Sequence, residues 1–368
     1  MHVVCVAGAR PNFPKLKPVI DALERKQVRT TFVHTGQHYD AQMSEVFLEE
    51  LGIRSPDHFL GVGSGSHAEQ TARIMQKFEP LVDQLRPDIV VVIGDVNSTV
   101  ACGLVAAKSG CRLAHVEAGL RSRDWDMPEE VNRVVTDRLS DYLLAPSGDA
   151  VENLRGEGYR EDQIFLVGNV MIDTLLANRD RASTRLPQLR RTFGLGARPF
   201  VLATLHRPSN VDDPDQLIRL MGALETISRD TAVLFPVHPR TRKSLELARW
   251  KSPENLVLTD PLGYLDFIAL EADSTAVITD SGGIQEETTA LGVPCITVRE
   301  STERPITVTH GTNVVVGTDP DRVVVEAVRV ISEGVLKRCP DLWDGHAGER
   351  IADVLIADAN RARRPSSL

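Results

Sequence analysis

Short apolar runs alternate with longer stretches of helical periodicity along this chain, and this alternation limits its fold more than any other feature. The apolar runs span residues 2–7, 30–35, 88–94, 112–117, 142–145, 199–206, 231–238, 255–259, 276–280 and 294–298. The helix-like stretches span residues 15–27, 41–51, 67–85, 97–109, 127–140, 212–228, 264–272, 283–291 and 320–334. Continuous apolar strands separated by helices are typical of a parallel sheet covered on both faces.

The series of strands and helices occurs twice, so the sequence predicts an α/β protein with two doubly wound domains. A chain of 368 residues is long enough for two domains. We predict a first domain at residues 1–168 and a second at residues 169–347. The stretch at residues 348–364 has helical periodicity, and we expect it to pack back on the first domain.

Composition excludes several classes of function. Apolar residues make up 42% of the chain and charged residues 25%, which is ordinary for a folded domain and argues against disorder. The formal net charge of −9 argues against general binding to nucleic acid or to a membrane surface. No run reaches the ~20 apolar residues of a membrane helix, so we predict neither a nucleic-acid partner nor a membrane partner.

Cysteine usage favours the cytoplasm. The five cysteines are scattered, odd in number and never form a CxxC pair, as expected for reduced thiols inside a core. The apolar run at residues 2–7 has no basic start and is too short for a signal peptide, so we interpret it as a core strand. Neither the cysteines nor a paired-histidine motif indicates a metal site.

Polar residues follow the apolar runs with unusual regularity. Asp95, Glu117, His206, His238 and Asp280 stand at or just after the ends of five predicted strands. Any one of them is more often structural, because an acidic residue after a strand commonly caps the next helix. Ligands of open α/β sheets nevertheless bind beyond the carboxyl ends of the strands. The repeated pattern therefore predicts that these residues face a binding site.

The segment from Thr279 to Glu287 passes from a strand through Ser281, Gly282 and Gly283 into a helix. Glycines allow the backbone to approach a ligand closely, and the N–H groups of a helix N-terminus attract phosphate. The acidic residues that follow suit hydrogen bonding to ribose hydroxyls. The alternative is an ordinary capped helix with acidic first turns. Neither a Walker A sequence nor a GxGxxG motif is present.

The helix predicted after Pro128 places Glu129 and Arg133 four residues apart on one face. One interpretation is a surface salt bridge worth ~0.3–0.5 kcal/mol. The functional interpretation is a carboxylate held by arginine close to Asp95 and Glu117, because clustered carboxylates separate each other's pKa values into an acid and a base. Arg304 is on a later predicted loop, and the guanidinium of an arginine suits bidentate binding of a diphosphate.

Taken in order, these segments resemble the non-hydrolysing UDP-N-acetylglucosamine 2-epimerase family from end to end. The matching segments are residues 8–12, 94–95, 115–121, 128–133, 168–169, 206–207, 236–239, 280–287 and 302–305. The resemblance implies two Rossmann-like domains in a glycosyltransferase-B arrangement, with the active site in the cleft between them. It also implies a homodimer and a reaction without a cofactor. UDP is eliminated as the C2 proton leaves, giving a glycal, and then adds back with the proton returned to the other face.

Residue roles follow from the resemblance position by position. It assigns acid/base and charge-handling roles to Asp95, Glu117, Glu129 and His206, with Arg133 beside them. It implies a UDP-sugar site formed by Arg10, Lys15, Phe267, Ser281, Gly282, Gly283, Glu287 and Arg304, in which Glu287 binds the ribose and Phe267 lies near the uracil. It also suggests a regulatory site lined by Gln37, Arg73, Arg207 and His238.

Three other functions are compatible with the same sequence. A 2-epimerase for another UDP-2-acetamido sugar, such as UDP-2,3-diacetamido-glucuronate, would use the same residues. A glycosyltransferase with the same fold would bind UDP at the same place and pass the sugar to an acceptor. A non-catalytic nucleotide-sugar sensor would bind without turnover, although the presence of every acid/base candidate argues against it.

Overall fold

The computed structural model describes residues 1–9, 11–37 and 50–357, and within them two parallel sheets carry the fold. The strands of the first sheet are β1 (His2–Ala7), β2 (Arg29–His34), β3 (His58–Phe59), β4 (Ile89–Ile93), β5 (Arg112–Val116), β6 (Tyr142–Ala145) and β7 (Ile164–Leu166). Those of the second sheet are β8 (Phe200–Thr204), β9 (Ala232–Pro236), β10 (Leu256–Thr259), β11 (Ala276–Thr279), β12 (Cys295–Thr297) and β13 (Asn313–Val315).

Helices connect these strands. They span Asn12–Arg25, His67–Leu85, Asn97–Lys108, Pro128–Leu139, Gly148–Gly156, Val170–Ser183, Leu186–Thr192, Pro208–Val211, Pro214–Ser228, Pro239–Leu247, Tyr264–Asp273, Gly282–Leu291, Pro305–Thr309, Pro320–Glu333 and Ala347–Ala357. Of the helix predicted at residues 41–51, residues 41–49 lie outside the described residues. The same holds for residues 358–364 of the predicted C-terminal helix.

The first sheet has the strand order β3-β2-β1-β4-β5-β6-β7. The chain leaves β1 toward one edge and returns at β4 to build the other edge. Beyond the carboxyl ends of β1 and β4 this reversal leaves a crevice, which is the usual ligand position of a doubly wound sheet. The loop after Ala7 and the segment after Ile93 therefore face the same crevice.

The second sheet repeats this plan with the order β10-β9-β8-β11-β12-β13. Its reversal lies between β8 and β11, which pair in parallel with Thr204 opposite Thr279. The residues that follow both strands are consequently neighbours. The two sheets confirm the predicted α/β class with two doubly wound series.

The chain divides into two compact units. One comprises Met1–Thr174 together with the segment that begins at Asp341, and the other comprises Leu175–Pro340. Helix Ala347–Ala357 belongs to the first unit and packs against helix Asn12–Arg25. A carboxylate fixes its start, because Asp173 accepts hydrogen bonds from the backbone N–H groups of Ala347 and Gly348 at 3.1 and 2.7 Å.

Apolar side chains from both faces of each sheet form the cores. In the first unit, Val4, Val90 and Val92 pack with Ile74 and Phe78 of helix His67–Leu85. The Ser66 hydroxyl and the Glu69 carboxylate cap that helix reciprocally, and such a cap contributes ~1 kcal/mol. Strands β3, β7 and β13, which have two or three residues each, were not predicted. Over residues 1–9, 11–37 and 50–357, no helix combines the length and apolar character that crossing a bilayer requires.

Candidate functional site

Asp95 and Arg133 form the first charged contact at the end of the first sheet. Asp95 follows β4 by two residues, and its Oδ2 lies 2.5 Å from Nη2 of Arg133. The Arg133 side chain is 4% exposed and that of Asp95 is 29% exposed. The carboxylate is therefore held from behind by a buried guanidinium while part of it faces solvent. A side chain fixed in this way is suited to contact a ligand.

Arg133 has a second carboxylate partner, Glu130. Its Nη1 lies 2.6 Å from Oε2 of Glu130, whose carboxylate also accepts the backbone N–H groups of Ser122 and Arg123. Burial alone would raise the pKa of Glu130, but these hydrogen bonds and the guanidinium lower it overall. The carboxylate stays charged and anchors Arg133 in turn.

This arrangement corrects the predicted pairing of Glu129 with Arg133. Glu130 and Arg133 are on the buried face of helix Pro128–Leu139, whereas Glu129 is exposed in its first turn. The four-residue spacing was compatible with a contact, but the helix is rotated so that the neighbouring glutamate takes the arginine. Any role of Glu129 toward a substrate stays a prediction.

Glu117 follows β5 in a left-handed backbone conformation, with a φ of 72°. Such a conformation is uncommon for a residue with a side chain and is often found at functional sites. Its N–H is bonded to the Leu144 carbonyl, and its Oε2 lies 2.7 Å from Nζ of Lys15. Its Oε1 is buried and has no hydrogen-bond partner among the described residues. One oxygen is thus held by a cation while the other is free to act as a proton acceptor.

Lys15 was predicted to bind UDP. In the structure its ammonium contacts Glu117, and its role toward UDP stays a prediction. The loop before it is shaped by Asn12, whose Oδ1 accepts from the N–H groups of Gly8 and Ala9 and whose Nδ2 donates to the Ile93 carbonyl. These contacts join the end of β1 to the end of β4. Arg10, the other basic residue of this loop, lies outside the described residues.

The proposed regulatory residues of the first unit are occupied with internal contacts. The buried Gln37 accepts hydrogen bonds from the backbone N–H and the hydroxyl of Ser98 at 3.0 and 2.8 Å. Arg73 donates to the carbonyls of Val62, Ser64 and Glu69. Both side chains thus organise loops within this unit, and their regulatory role stays a prediction.

In the second unit, Asp280 accepts hydrogen bonds from the segment that follows β8. Its carboxylate accepts the backbone N–H groups of His206 and Arg207 and the amide of Asn210, and it lies 2.9 Å from Nδ1 of His206. Burial raises the pKa of Asp280, but these partners outweigh burial and lower it. The His206 ring is 54% exposed. A buried carboxylate therefore orients an imidazole that remains open to a ligand.

The helix Gly282–Leu291 begins beside this pair. Ser281 occupies its N-cap position but makes no capping hydrogen bond, so the structure does not support the interpretation of this segment as a side-chain-capped helix. A Cβ at Gly282 would lie 2.7 Å from Oε1 of Glu303, so a larger residue there would have to displace that carboxylate. Gly283 forms the first turn with it. The N-terminus of a ten-residue helix thus presents N–H groups and a positive dipole end.

Glu287 lies further along the same helix and is fixed by Tyr264, whose hydroxyl donates to its Oε1 at 3.0 Å. Phe267 is on the same helix as Tyr264 and is partly buried. Burial and then the charge of Glu287 raise the pKa of the tyrosine, which keeps its proton for this hydrogen bond. These contacts hold the Glu287 carboxylate in one orientation.

Buried ion pairs surround Arg304. Its Nε lies 2.7 Å from Oε1 of Glu286, and nearby Arg299 pairs with Glu303 at 2.7 Å. Burial would raise the pKa of Glu303, but Arg304 and Arg299 lower it to about 2. Arg207 lies 3.7 Å from Glu303, while His238 is exposed after β9. The predicted clamp residue Arg304 thus belongs to a pre-organised set of charges.

Glu271 is a residue that sequence reasoning missed. It is 0% exposed, and within residues 1–9, 11–37 and 50–357 neither carboxylate oxygen has a hydrogen-bond partner. Burial, followed by the charge of Glu287, raises the pKa of Glu271 well above its ordinary value. The sequence contained one indication of this residue, because Glu271 stands within the apolar stretch of helix Tyr264–Asp273.

Each unit therefore offers a different chemistry. The first presents two carboxylates, Asp95 and Glu117, at the ends of adjacent strands, each held by its own cation, which suits acid–base catalysis. The second presents a helix N-terminus, a fixed carboxylate and buried arginines, which suit a diphosphate and a ribose. Across the described residues, no group of three His, Cys, Asp or Glu side chains is placed to hold a metal ion.

Several known proteins that are similar to this chain belong to the family that its sequence resembles. The sequence model of the family described as UDP-N-acetylglucosamine 2-epimerase matches residues 21–356. The UDP-N-acetylglucosamine 2-epimerase of Methanocaldococcus jannaschii is 40% identical over 363 residues, which cover 96% of this chain and 99% of that protein. The UDP-2,3-diacetamido-2,3-dideoxy-D-glucuronate 2-epimerase of Pseudomonas aeruginosa is 41% identical over 360 residues, which cover 96% and 99%.

A solved structure is similar over nearly the whole chain. The crystal structure of the Methanocaldococcus jannaschii UDP-GlcNAc 2-epimerase, in complex with UDP-GlcNAc and UDP, matches with a TM-score of 0.87. The match covers 97% of this chain and 100% of that one, at 40% sequence identity.

Proposed function

Because the chain belongs to the UDP-N-acetylglucosamine 2-epimerase family, we propose that it is an isomerase acting on the UDP-N-acetylglucosamine/UDP-N-acetylmannosamine pair. The reaction inverts the configuration at C2 of the sugar and runs in both directions. Relatives that carry this activity in their names match almost the full length of the chain, as does a structure that holds the substrate and UDP.

The chemistry divides into an elimination and an addition. In the first step a base removes the C2 proton, the C–H electron pair forms the C1=C2 double bond of a glycal, and the C1–O bond breaks to release UDP. In the second step UDP adds back to C1, and C2 receives a proton on the opposite face. Atoms and charges balance without an oxidant or a cofactor.

We assign proton transfer at C2 to residues of the first unit. Two opposite faces need two groups, and Asp95 and Glu117 are two separately held carboxylates. The free, buried oxygen of Glu117 is suited to accept a proton, because a cation on its other oxygen fixes its orientation. We retain Glu129 as a third candidate, and Arg133 as the residue that holds Asp95.

We assign recognition and departure of UDP to the second unit. Ser281, Gly282 and Gly283 offer the diphosphate the N–H groups of a helix N-terminus, which stabilise the charge that develops as the C1–O bond breaks. Glu287 is available for the ribose hydroxyls, Phe267 for the uracil and Arg304 for the phosphates. To His206, which Asp280 orients, we assign proton exchange with the leaving group.

One observation carries the assignment more than any other. Asp95 and Glu117 follow the adjacent parallel strands β4 and β5, and each is bound by a different buried or partly buried cation. A purely structural role would need only one carboxylate–cation pair at this edge of the sheet. Two fixed carboxylates at the carboxyl edge of one sheet are what proton exchange on two faces of a carbon requires.

Turnover in D₂O tests the proposal. Incubation with UDP-N-acetylglucosamine is expected to give the manno isomer and deuterium at C2 of both sugars. Asp95→Asn, Glu117→Gln and His206→Ala should each lower kcat by about 10²–10⁴-fold, the usual contribution of a general acid or base. The surface variant Lys17→Met serves as the control. No isomer and no deuterium with the unmodified protein would refute this function.

A second substrate has specific support. The Pseudomonas aeruginosa relative that is named for UDP-2,3-diacetamido-2,3-dideoxy-D-glucuronate is 41% identical, as similar as the relatives named for UDP-N-acetylglucosamine. A panel of both UDP-sugars, compared by kcat/KM, decides between them. A higher kcat/KM for the diacetamido sugar would change the substrate while leaving the reaction type unchanged.

We also propose a cytoplasmic homodimer. Cys5, Cys102 and Cys295 are free thiols buried in the cores, which suits a reducing compartment. Dimerisation is typical of the family that the sequence resembles. Light scattering of the purified protein gives the oligomeric state, and a monomer at assay concentration would contradict this part of the proposal.

A further inference from the structure

His115 and Asp137 form a fully buried pair in the first unit that the proposed mechanism does not use. Both side chains are 0% exposed, and Nδ1 of His115 lies 2.6 Å from Oδ1 of Asp137. The other ring nitrogen, Nε2, lies 2.9 Å from the carbonyl oxygen of Gly94, the residue before Asp95. The pair thus contacts the backbone beside a proposed catalytic carboxylate.

The partners of His115 determine its protons. A backbone carbonyl only accepts hydrogen bonds, so Nε2 must donate to Gly94. Burial would raise the pKa of Asp137, but His115 and Arg121 lower it, so its carboxylate is ionised and also only accepts. Both ring nitrogens of His115 thus lie within hydrogen-bond distance of an acceptor, Oδ1 of Asp137 on one side and the Gly94 carbonyl on the other.

Asp137 also contacts the segment that follows Glu117. Its Oδ2 accepts the backbone N–H of Gly119 at 3.1 Å and lies 2.7 Å from Nη1 of Arg121. Gly119 has a φ of 83°, and a Cβ there would collide with the carbonyl oxygen of Ala150. Its N–H therefore reaches the carboxylate only because no side chain is present. Arg121 continues the network to Glu157 through two hydrogen bonds.

We propose that His115 and Asp137 are positioning residues that set the spacing between the backbone segments carrying Asp95 and Glu117. The inference rests on the proposed function, which gives those two carboxylates their role. Asp137 reaches one segment directly through Gly119 and the other through the ring of His115 and the carbonyl of Gly94. Charged hydrogen bonds in a dry interior are short and strong, so the spacing is rigid.

Rigid spacing matters because a displacement of about 1 Å from productive geometry costs up to ~10²-fold in rate. The partners that hold each carboxylate, Arg133 and Lys15, fix the side chains but come from separate helices. The two segments share one ladder hydrogen bond, from the Gly94 N–H to the Val116 carbonyl at 3.1 Å. The His115–Asp137 pair adds a second link, which extends from the Gly94 carbonyl to the N–H of Gly119. Loss of the pair should therefore slow the chemical step without changing recognition of UDP.

Two variants test this, with two matched controls. Asp137→Asn and His115→Gln should lower kcat by about 10–100-fold, with KM and the Kd for UDP within about twofold of the unmodified protein. Asp173→Asn removes another buried carboxylate of the same unit, which caps helix Ala347–Ala357. It should lower the melting temperature yet leave kcat unchanged. Glu157→Gln, at the outer end of the network, should also leave kcat unchanged.

Two further readouts do not depend on turnover. Nitrogen-15 shifts of the imidazole in the unmodified protein should show protons on both ring nitrogens of His115. Amide exchange in Asp137→Asn should rise at residues 94–95 and 117–119. If Asp137→Asn does not fold, His115→Gln and the imidazole shifts carry the test.

The outcomes separate the two proposals. If the unmodified protein turns over no UDP-sugar, the proposed function fails. The imidazole shifts and amide exchange still test whether His115 and Asp137 hold the two segments. If Asp173→Asn lowers kcat as much as Asp137→Asn and His115→Gln do, the role of the pair is purely structural. A neutral ring, or unchanged exchange at both segments, would overturn the positioning proposal as well.

Discussion

The ammonium of Lys15 lies 2.7 Å from Oε2 of Glu117, although 102 residues separate the two along the chain. The Glu117 side chain is 4% exposed and that of Lys15 is 13% exposed. The contact ties the helix after β1 to the segment after β5 and gives a carboxylate in a strained backbone position its counter-charge. Whether Lys15 serves this carboxylate or a phosphate of the substrate is open to a direct test.

Lys15→Met should slow catalysis more than it weakens nucleotide binding. Loss of the ammonium leaves a nearly buried carboxylate without its cation, so the proton affinity and orientation of Glu117 both change. We expect kcat to fall at least ~10-fold, with the Kd for UDP changed less than about twofold. Lys17→Met, a surface variant two residues away, provides the control. A large rise in the Kd for UDP with kcat unchanged would show that Lys15 binds the diphosphate instead.

Glu129 and Glu130 should respond oppositely to the same substitution. Glu130→Gln breaks a buried ion pair with Arg133 and loses a charged acceptor for two backbone N–H groups, so we expect a loss of about 3 kcal/mol in the free energy of unfolding. Glu129→Gln, on the exposed face, should change stability by less than ~0.5 kcal/mol. Urea denaturation of both variants measures this, and equal losses would show that the helix rotation is misassigned.

Glu271→Gln should stabilise the protein increasingly as the pH rises. The pKa of Glu271 is raised in the folded state by burial and by Glu287. Above the unfolded pKa of ~4.3 the folded state therefore holds more protons than the unfolded state, and the free energy of unfolding declines as the pH rises. Glutamine does not ionise, so the variant avoids this decline. At pH 8 we expect the variant's free energy of unfolding to be higher by at least ~1 kcal/mol. Urea denaturation at several pH values between 5 and 8 measures this. A gain independent of pH would contradict the explanation.

His206→Ala should inactivate the protein without unfolding it. The ring is half exposed, and Asp280 keeps three other donors after its loss: two backbone N–H groups and the amide of Asn210. The melting temperature should therefore change by only a few degrees, while kcat falls at least ~100-fold. Asp280→Asn is the companion variant and should lower the melting temperature markedly, because those donors lose an ionised acceptor. Full activity in His206→Ala would remove the imidazole from the mechanism.

The sequence was sufficient for the fold class and for the positions of polar residues at the ends of strands. A hydropathy pattern records which segments are buried on both faces, so strands such as β4 and β11 could be located to within a residue or two. The carboxyl ends of parallel strands share one edge, so Asp95 and Asp280 could be placed beside ligand crevices before any contact was known. The resemblance to the epimerases rested on these same positions, and the family match confirms it.

Only the tertiary structure decided which charges meet. Consecutive helical residues point about 100° apart, so the rotation of one helix determines whether Glu129 or Glu130 meets Arg133. The partners of Glu117 and Asp137 include residues 102 and 22 positions away, and no local pattern encodes such distances. The chain by itself therefore determined where carboxylates follow the strands. Packing determined which cation holds each of them, because contact across a fold depends on rotation and register rather than on spacing along the sequence.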